Sequence, residues 1–493
     1  MNRPVWTAEE ARAADAAAAG LGIDPTWLME AAGAAVARRV RAWEATHPLI
    51  LVGPGQNGGD GLVAARRLAL AGVDTQVFMP TVPRFDGAAA VVASALAAGA
   101  RPVEGGQLLG ALGTSDLVVD AVLGTGQNRA LGPPWSALWP HLGRSRVLAV
   151  DLPTGVEADT GRCWTDGPVM VETMAVGALK PAHVLEPAAS RLGRLTVADI
   201  GLPMRLGQRF RLARPDETLP ERDAAADKYA RGILAVVGGS AEYTGAPGLA
   251  AAGGMRAGMG YVEIWCAGAG AERIRFLPAV VRVLPEQDGA LTLDDGARRA
   301  LGRAGAVVLG PGATLAPSLV EAVRATGLPA VVDAGAVAAY VAAGRPRWPG
   351  AVFTPHTAEA ARLLDRDATW VASHREAAVR ELVRATGGVV LLKGRHTLVG
   401  AGDGPLFVNW PGGPELATAG TGDVLAGVIG GLLARGLEPL SAARLGAWWH
   451  GLAGDRMRWT HGPSGGSAED LLDALSAVRH AAGVPGDWPE WVW

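Results

Sequence analysis

The stretch that decides the fold runs Pro48-Leu-Ile-Leu-Val-Gly-Pro-Gly-Gln-Asn-Gly-Gly-Asp-Gly61. Its opening residues are apolar and the run ends in glycine, which reads as a short strand buried on both faces. A glycine-rich turn follows, then a helical pattern over 61–71. Glycines let the backbone turn sharply and approach a ligand closely. The helix start offers free N–H groups and the positive end of the dipole, which suits a phosphate. Asn57 and Asp60 add oxygens for a cation or a polar ligand. Taken alone, the segment reads first as a tight strand-to-helix turn with an Asp cap.

The surrounding chain repeats the plan. Helices are predicted over 9–19 and 25–42 before it. Strands at 75–79, 116–123, 146–152 and 195–200, with a helix over 87–98, follow it. That alternation predicts a parallel sheet wrapped by helices. Residues 211–228 are rich in charge and proline and lack periodicity, so they read as a linker. A second alternating series then places strands at 232–237, 261–266, 306–309, 330–333, 351–353 and 389–393. It ends in a helix over 422–433 with one apolar face. The predicted organisation is two α/β domains, 1–210 and 229–485. The closing WPEWVW reads as a surface-packed tail.

Composition excludes several classes. A chain of 493 residues with 49% hydrophobic residues builds more than one core. A net charge of −3 provides no basic field for nucleic acid. No apolar run reaches the roughly 18 residues of a membrane span, and the N-terminus lacks the apolar stretch of a signal peptide. The two cysteines, Cys163 and Cys266, exclude a disulfide framework and a cysteine-rich metal site. A cytoplasmic protein is expected.

Two further strand ends in the first half strengthen the opening signal. Val119-Asp-Ala-Val-Leu-Gly-Thr-Gly126 puts Asp120 in a strand and Gly124, Thr125 and Gly126 in the loop after it. Val150-Asp-Leu-Pro-Thr-Gly155 does the same with Asp151 and Thr154. Open parallel sheets bind ligands outside the carboxyl ends of their strands, so three such ends argue for one shared site. Asn57, Asp120 and Thr154 are hard oxygen donors of the kind a monovalent cation prefers, a match in ligand type only. Asp151 becomes an acid or base if burial raises its pKa.

In the second half, Asn409-Trp-Pro-Gly-Gly-Pro-Glu-Leu-Ala-Thr-Ala-Gly-Thr-Gly-Asp423 leads into the apolar helix. Gly420, Thr421 and Gly422 thus present backbone N–H groups at a helix start, an anion hole for a phosphate in transfer. Asp423 either accepts a proton from a substrate hydroxyl or simply caps the helix. Leu391-Leu-Lys-Gly-Arg-His-Thr397 ends a strand with a lysine and a glycine turn, suited to nucleotide phosphate. Phe353-Thr-Pro-His-Thr-Ala-Glu359 ends another with His356 and Glu359, although a lone histidine after a strand is more often structural.

The motifs of the first half, together with the opening Thr7-Ala-Glu-Glu-Ala-Arg-Ala-Ala-Asp15 and Leu28-Met-Glu-Ala-Ala-Gly33, stand in one order. They resemble the NAD(P)H-hydrate epimerase domain. The resemblance implies a Rossmann-like fold and a potassium ion held by Asn57, Asp120 and Thr154. It implies substrate contacts from Gln56, Asn57, Gly58, Gly59, Asp60, Gly124, Thr125, Gly126, Gln127, Asn128, Arg129, Ala130 and Asp151. Gln56 departs from the family's usual second Asn. Lys180 resembles a lysine near the same site and reads equally as a solvated loop residue.

The second half is similar to the ADP-dependent NAD(P)H-hydrate dehydratase of the ribokinase-like superfamily. That resemblance implies a ribokinase-like α/β domain in which Lys393, Gly394, Arg395, His396, Thr397, Gly420, Thr421 and Gly422 hold the adenine nucleotide. Ala246, Gly310, Gly312, His356 and Asp423 would hold the hydrated nicotinamide nucleotide. Asp227-Lys228 and the turn 412–415 depart from the family pattern at the site's rim. The implied activity is repair of hydrated NADH and NADPH (NADHX and NADPHX). The first domain would interconvert R and S epimers. The second would dehydrate S with ADP and magnesium, giving AMP and phosphate, with Asp423 as base. A homo-oligomer is expected. Two other readings stay open: a ribokinase-like kinase of a small alcohol, and a dinucleotide-binding sensor without turnover.

Overall fold

The computed structural model describes residues 3–203, 208–212, 232–271, 274, 278–479 and 490–492. Most of the predicted linker 211–228, with Asp227-Lys228, lies outside the described residues. The chain forms two compact units, one of Arg3–Arg211 with Pro489–Trp493 and one of Leu212–Trp488.

In the first unit, the sheet runs Arg101–Val103, Gln76–Phe78, Pro48–Val52, Leu117–Ala121, Val147–Val150, Glu172–Val176, Arg194–Ala198 and Glu490–Val492 from edge to edge. All these pairings are parallel. The chain builds outward from Pro48–Val52 in one direction, then crosses to Leu117–Ala121 and builds outward in the other. The switch point therefore lies between these two strands, with Val52 paired to Ala121, and a ligand crevice opens outside their carboxyl ends. Alternate residues face opposite layers: Ile50, Val52 and Val119 join one apolar cluster, and Leu49, Leu51 and Val118 join the other. Each such side chain contributes about 1.5–3 kcal/mol when fully buried. That two-sided burial is why these strands read as continuous apolar runs.

The structure corrects the prediction at three places. The helix expected over 61–71 begins earlier, at Gln56–Leu70, so the glycine-rich stretch forms its first turns. The strands Arg101–Val103 and Glu172–Val176 were not predicted, and each carries a residue foreign to a buried apolar run. Glu172 is fully buried because Arg39 donates to both of its carboxylate oxygens, with Trp43 and Thr196 completing its shell. The tail is not merely packed on the surface: Glu490–Val492 pairs with Thr196–Ala198 as an edge strand.

In the second unit, a sheet runs Leu406–Asn409, Thr397–Gly400, Val389–Leu392, Ala351–Phe353, Ala330–Val332, Ala306–Leu309, Ile233–Val237, Tyr261–Ala267 and Val280–Leu284. The first two pairings are antiparallel and the rest parallel. Helix Thr421–Ala434 lies against Gly245–Arg256, and their apolar faces share one core with the sheet. Among the described residues no helix is long and apolar enough to cross a membrane.

Candidate active sites

The switch point of the first unit opens into a cavity of about 830 Å³. Gln56, Asn57 and Asp60 line it from the helix start, and Gly124, Thr125, Gly126, Gln127 and Asp151 line it from the two neighbouring strand ends. Gly58 and Gly59 do not. A Cβ at Gly58 would lie 2.1 Å from Gly53 O, so a side chain there would push the helix off the strand it follows. Asn128, Arg129 and Ala130 are exposed and stand outside the lining. Gln127 braces the loop: its Oε1 accepts from Gly155 N at 2.8 Å and its Nε2 donates to Arg129 O at 3.1 Å.

Asp151 is the hub. Its backbone holds φ +65°, a left-handed conformation that a non-glycine residue adopts only where its surroundings over-determine it. Those surroundings are visible. Oδ2 accepts from Thr125 N at 2.9 Å and Thr125 Oγ1 at 2.5 Å, and Oδ1 accepts from Lys180 Nζ at 2.5 Å. His183 Nε2 donates to the Asp151 carbonyl at 2.8 Å, while His183 Nδ1 accepts from Lys180 N at 2.7 Å. Both ring nitrogens are thereby committed to one neutral tautomer. Burial, with help from the Lys180 charge, holds the His183 pKa down to about 4.

Lys180 is 3% exposed, a buried ion-pair partner and not a solvated loop residue. It also means that the condition set for Asp151, a raised pKa, is not met. Burial pushes the Asp151 pKa up, but Lys180, Thr125 and His183 outweigh it and the net direction is down. Asp151 is ionised. Asp60 is lifted well above the ordinary range by burial and then by Asp151 and Asp15, and burial also raises Asp15 on the same cavity.

Asp120 and Thr154 lie buried beside the cavity. Thr154 donates from N and Oγ1 to the Asp120 carboxylate at 2.8 and 2.7 Å, and Leu123 N donates to Thr154 Oγ1 at 2.9 Å. Burial lifts the Asp120 pKa to about 6, and none of the groups that pull it back down carries a positive charge. Asn57 Nδ2 is buried without a hydrogen-bond partner among the described residues.

In the second unit, Gly420 caps helix Thr421–Ala434 at φ +91°, which glycine adopts at little cost. Asp423 therefore stands in the helix's first turn and is not its cap. Among the described residues nothing donates a hydrogen bond to its half-buried carboxylate. Burial, then the Asp333 charge, raises its pKa to about 7 against the pull of Lys393. Lys393 Nζ donates to Asp333 Oδ1 at 2.8 Å and lies 3.9 Å from Glu359 Oε2. A Cβ placed on Gly422 would meet that ammonium at 3.6 Å, so anion hole and lysine face the same space.

The remaining residues divide. Gly312 and Ala246 come together: a Cβ at Gly312 would lie 3.0 Å from that of Ala246. Gly310 packs instead against the Asp333 carbonyl. His356 caps helix Thr357–Leu364, its Nδ1 accepting from Ala358 N at 3.1 Å. His396 is buried and stacked on Trp410 with ring centroids 4.5 Å apart, and burial lowers its pKa to about 3. Arg395 is exposed, and Thr397, half-buried, donates from Oγ1 to Gly394 O at 3.3 Å.

Sequence reasoning missed the residues that brace these parts. The Arg375 guanidinium donates to the carbonyls of Leu392, Lys393 and His396. Glu415 and Asp455 accept from Gly413 N and Gly412 N in the unusual 412–415 turn. His450 Nε2 holds the Thr421 carbonyl at 2.9 Å. None carries a local motif; only their packing reveals them.

Fold and sites together define a two-part nucleotide enzyme, Rossmann-like in its first unit and ribokinase-like in its second. Residues 25–182 match the model described as YjeF-related protein N-terminus, and residues 234–477 match that of NAD(P)H-hydrate dehydratase. A bifunctional NAD(P)H-hydrate repair enzyme of Moorella thermoacetica is 38% identical over 467 residues, covering 87% of each chain. The Thermanaerovibrio acidaminovorans counterpart is 34% identical, covering 97% of this chain and 98% of that one. A solved ADP/ATP-dependent NAD(P)H-hydrate dehydratase from Bacillus subtilis, co-crystallised with ATP and Mg2+, is 27% identical. It covers 53% of this chain and 93% of that one, with a TM-score of 0.46. The chain belongs to the family of bifunctional NAD(P)H-hydrate repair enzymes, with epimerase and dehydratase activities.

Proposed function

We propose that the first cavity epimerises hydrated NADH and NADPH at the hydroxyl-bearing ring carbon, and that the second site dehydrates the S epimer at the expense of ADP. The observation that carries the second half is Asp423: an unpartnered carboxylate with a pKa near 7, beside an anion hole and a lysine ammonium. A general base works best when its pKa lies near the operating pH.

Asp423 takes the proton of the substrate hydroxyl as its oxygen attacks the terminal phosphorus of ADP. The P–O bond to AMP breaks, and the amides of Gly420, Thr421 and Gly422 with Lys393 stabilise the charge on the transferring phosphoryl group. Phosphate then leaves the ring carbon, driven by the ring nitrogen's lone pair, and loss of the neighbouring C–H proton completes NADH or NADPH. Gly394, Arg395 and Thr397 hold the nucleotide; Ala246 and Gly312 contact the hydrated ring. Magnesium arriving with the nucleotide supplies neutralising charge on its phosphates.

Asn57, Asp120 and Thr154 fit a potassium ion. What supports this is a buried Asp120 carboxylate whose donors carry no positive charge, and the buried Asn57 Nδ2 without a partner among the described residues, which becomes an oxygen if the amide's O and N are exchanged. A potassium ion held by these residues would supply the positive charge that the buried Asp120 carboxylate lacks. The cytoplasm is the proposed location and a homo-oligomer the proposed assembly.

The test mixes purified chain, R and S NADHX, potassium, magnesium and either ADP or ATP, and follows the return of nicotinamide absorbance. Full recovery with ADP is expected. Recovery of the S fraction alone removes the epimerase half. A stable phosphorylated product moves the small-molecule kinase forward, and tight binding without turnover moves the sensor forward.

A further inference from the structure

Asp15, Asp60, Asp151 and Lys180 line the first cavity together with Glu30, Asp86 and Arg12. Lys180 is committed to Asp151 at 2.5 Å. Asp60, on the first turns of helix Gln56–Leu70, is 8% exposed, and among the described residues no donor reaches its carboxyl. Asp15, on helix Ala8–Gly20, opens onto the same cavity and likewise has no hydrogen-bond partner among the described residues. A buried carboxyl without donors, aimed into a ligand cavity beside two other carboxyls, is placed to hold a proton and not a charge.

We propose that Asp60 is the proton donor of the epimerase, acting as acid to Asp151 as base, and that Asp15 supplies the negative charge that keeps the proton on Asp60. The inference rests on the epimerase reading of this cavity and deepens it. Two carboxyls pushed in opposite directions are the mark of an acid and base pair. Asp151 is lowered, while Asp60 is raised by burial, Asp151 and Asp15 in that order, against Lys180. The other charged groups at the cavity do not alter this. Glu30 is held by Arg66 and Arg67, and Arg12 and Asp86 are exposed.

The chemistry requires such a pair. In the hydrate, the hydroxyl-bearing carbon is also bonded to the ring nitrogen, a hemiaminal. Asp151 removes the hydroxyl proton and a C=O bond forms. The C–N bond breaks, its electron pair goes to nitrogen, and Asp60 gives its proton to that nitrogen. The resulting aldehyde turns about its neighbouring C–C bond and presents its other face. Nitrogen attacks, Asp60 recovers its proton, and Asp151 returns its own to oxygen. Atoms and charges balance, the enzyme ends as it began, and neither water nor a redox partner is consumed.

The experiment uses the full chain without ADP, so that dehydration does not run, and follows R and S equilibration of NADHX by chromatography across pH. Asp60→Asn is expected to slow epimerisation by on the order of 10²–10⁴-fold, with dinucleotide affinity retained. Asp15→Asn, a change at an exposed position, is expected to move the alkaline limb of the pH profile to lower pH, because Asp60 then gives up its proton more easily. A wild-type rate in Asp60→Asn overturns the proposal, as does an unmoved alkaline limb in Asp15→Asn. A wild-type chain that adds nothing to spontaneous equilibration overturns the epimerase reading itself, and this inference with it.

Discussion

Lys393 donates to Asp333 at 2.8 Å, and after burial this pair tunes the proton affinity of a third residue, Asp423. Asp333 is 2% exposed, so its charge acts on Asp423 with little screening by water. Lys393 itself is held protonated: burial lowers its pKa, but Asp333 and Glu359 raise it by more. Dehydration needs Asp423 ionised, so its rate should rise with pH through about 7. Asp333→Asn removes a neighbour that raises the Asp423 pKa. The acidic limb of kcat/KM should therefore move to lower pH; a limb that stays or rises contradicts the arrangement.

The Lys180–Asp151 pair leads to a different measurement. Replacing Lys180 by Met leaves a buried carboxylate without its cation. Removing one partner of a buried pair costs about 3–5 kcal/mol, and burial would then lift the Asp151 pKa. Lys180→Met should lower the denaturation midpoint accordingly and abolish epimerisation. His183→Ala should act in the same direction and cost about 1–3 kcal/mol, because it strands the Asp151 carbonyl and the Lys180 N–H.

Potassium should stabilise the chain, and the effect should depend on pH. The folded Asp120 pKa is raised to about 6, above its unfolded value near 4. Without a cation, the folded state loses stability as pH rises from about 4, and the full cost is present above 6. A bound cation removes that cost. The increase in Tm given by potassium should be largest above pH 6 and fade below it, and Asp120→Asn should abolish it. A potassium effect that is flat between pH 5 and 8 points to a site elsewhere.

Arg375 tests the nucleotide turn. One guanidinium serves three carbonyls around Lys393. Arg375→Met should raise KM for ADP by about tenfold, the equivalent of one unmet buried acceptor. Arg375→Lys should rescue little, since a single ammonium lacks the planar fork. Rescue by lysine would mean that charge alone matters there.

Much of this molecule is legible along the chain. The strand Pro48–Val52, its glycine turn, and the strand ends carrying Asp120, Asp151 and Lys393 can be read from short windows, because an apolar run closed by glycine is a local signal. Strands of mixed polarity were not. Glu172 defeats a hydrophobic-run reading, since its burial depends on Arg39, 133 residues away. The helix start at Gln56 was hidden for another reason. Glycines that elsewhere break helices are here required by close contacts, Gly58 with Gly53 and Gly61 with Ala121.

The sequence by itself determined the order of the strand, turn and helix units in both halves and the residue types gathered at the strand ends. These are properties of neighbouring residues and survive without a fold. Only the tertiary structure decided what each group does with its proton. Asp151 is ionised because Lys180 comes to it from 29 residues away, while burial and then the charges of Asp151 and Asp15 push the Asp60 pKa up. Asp423 is poised near neutrality because folding buries it and brings Asp333 and Lys393, 60 residues apart in the chain, beside it. A pKa is set by burial and by charges within a few ångströms, and neither exists until the chain has folded.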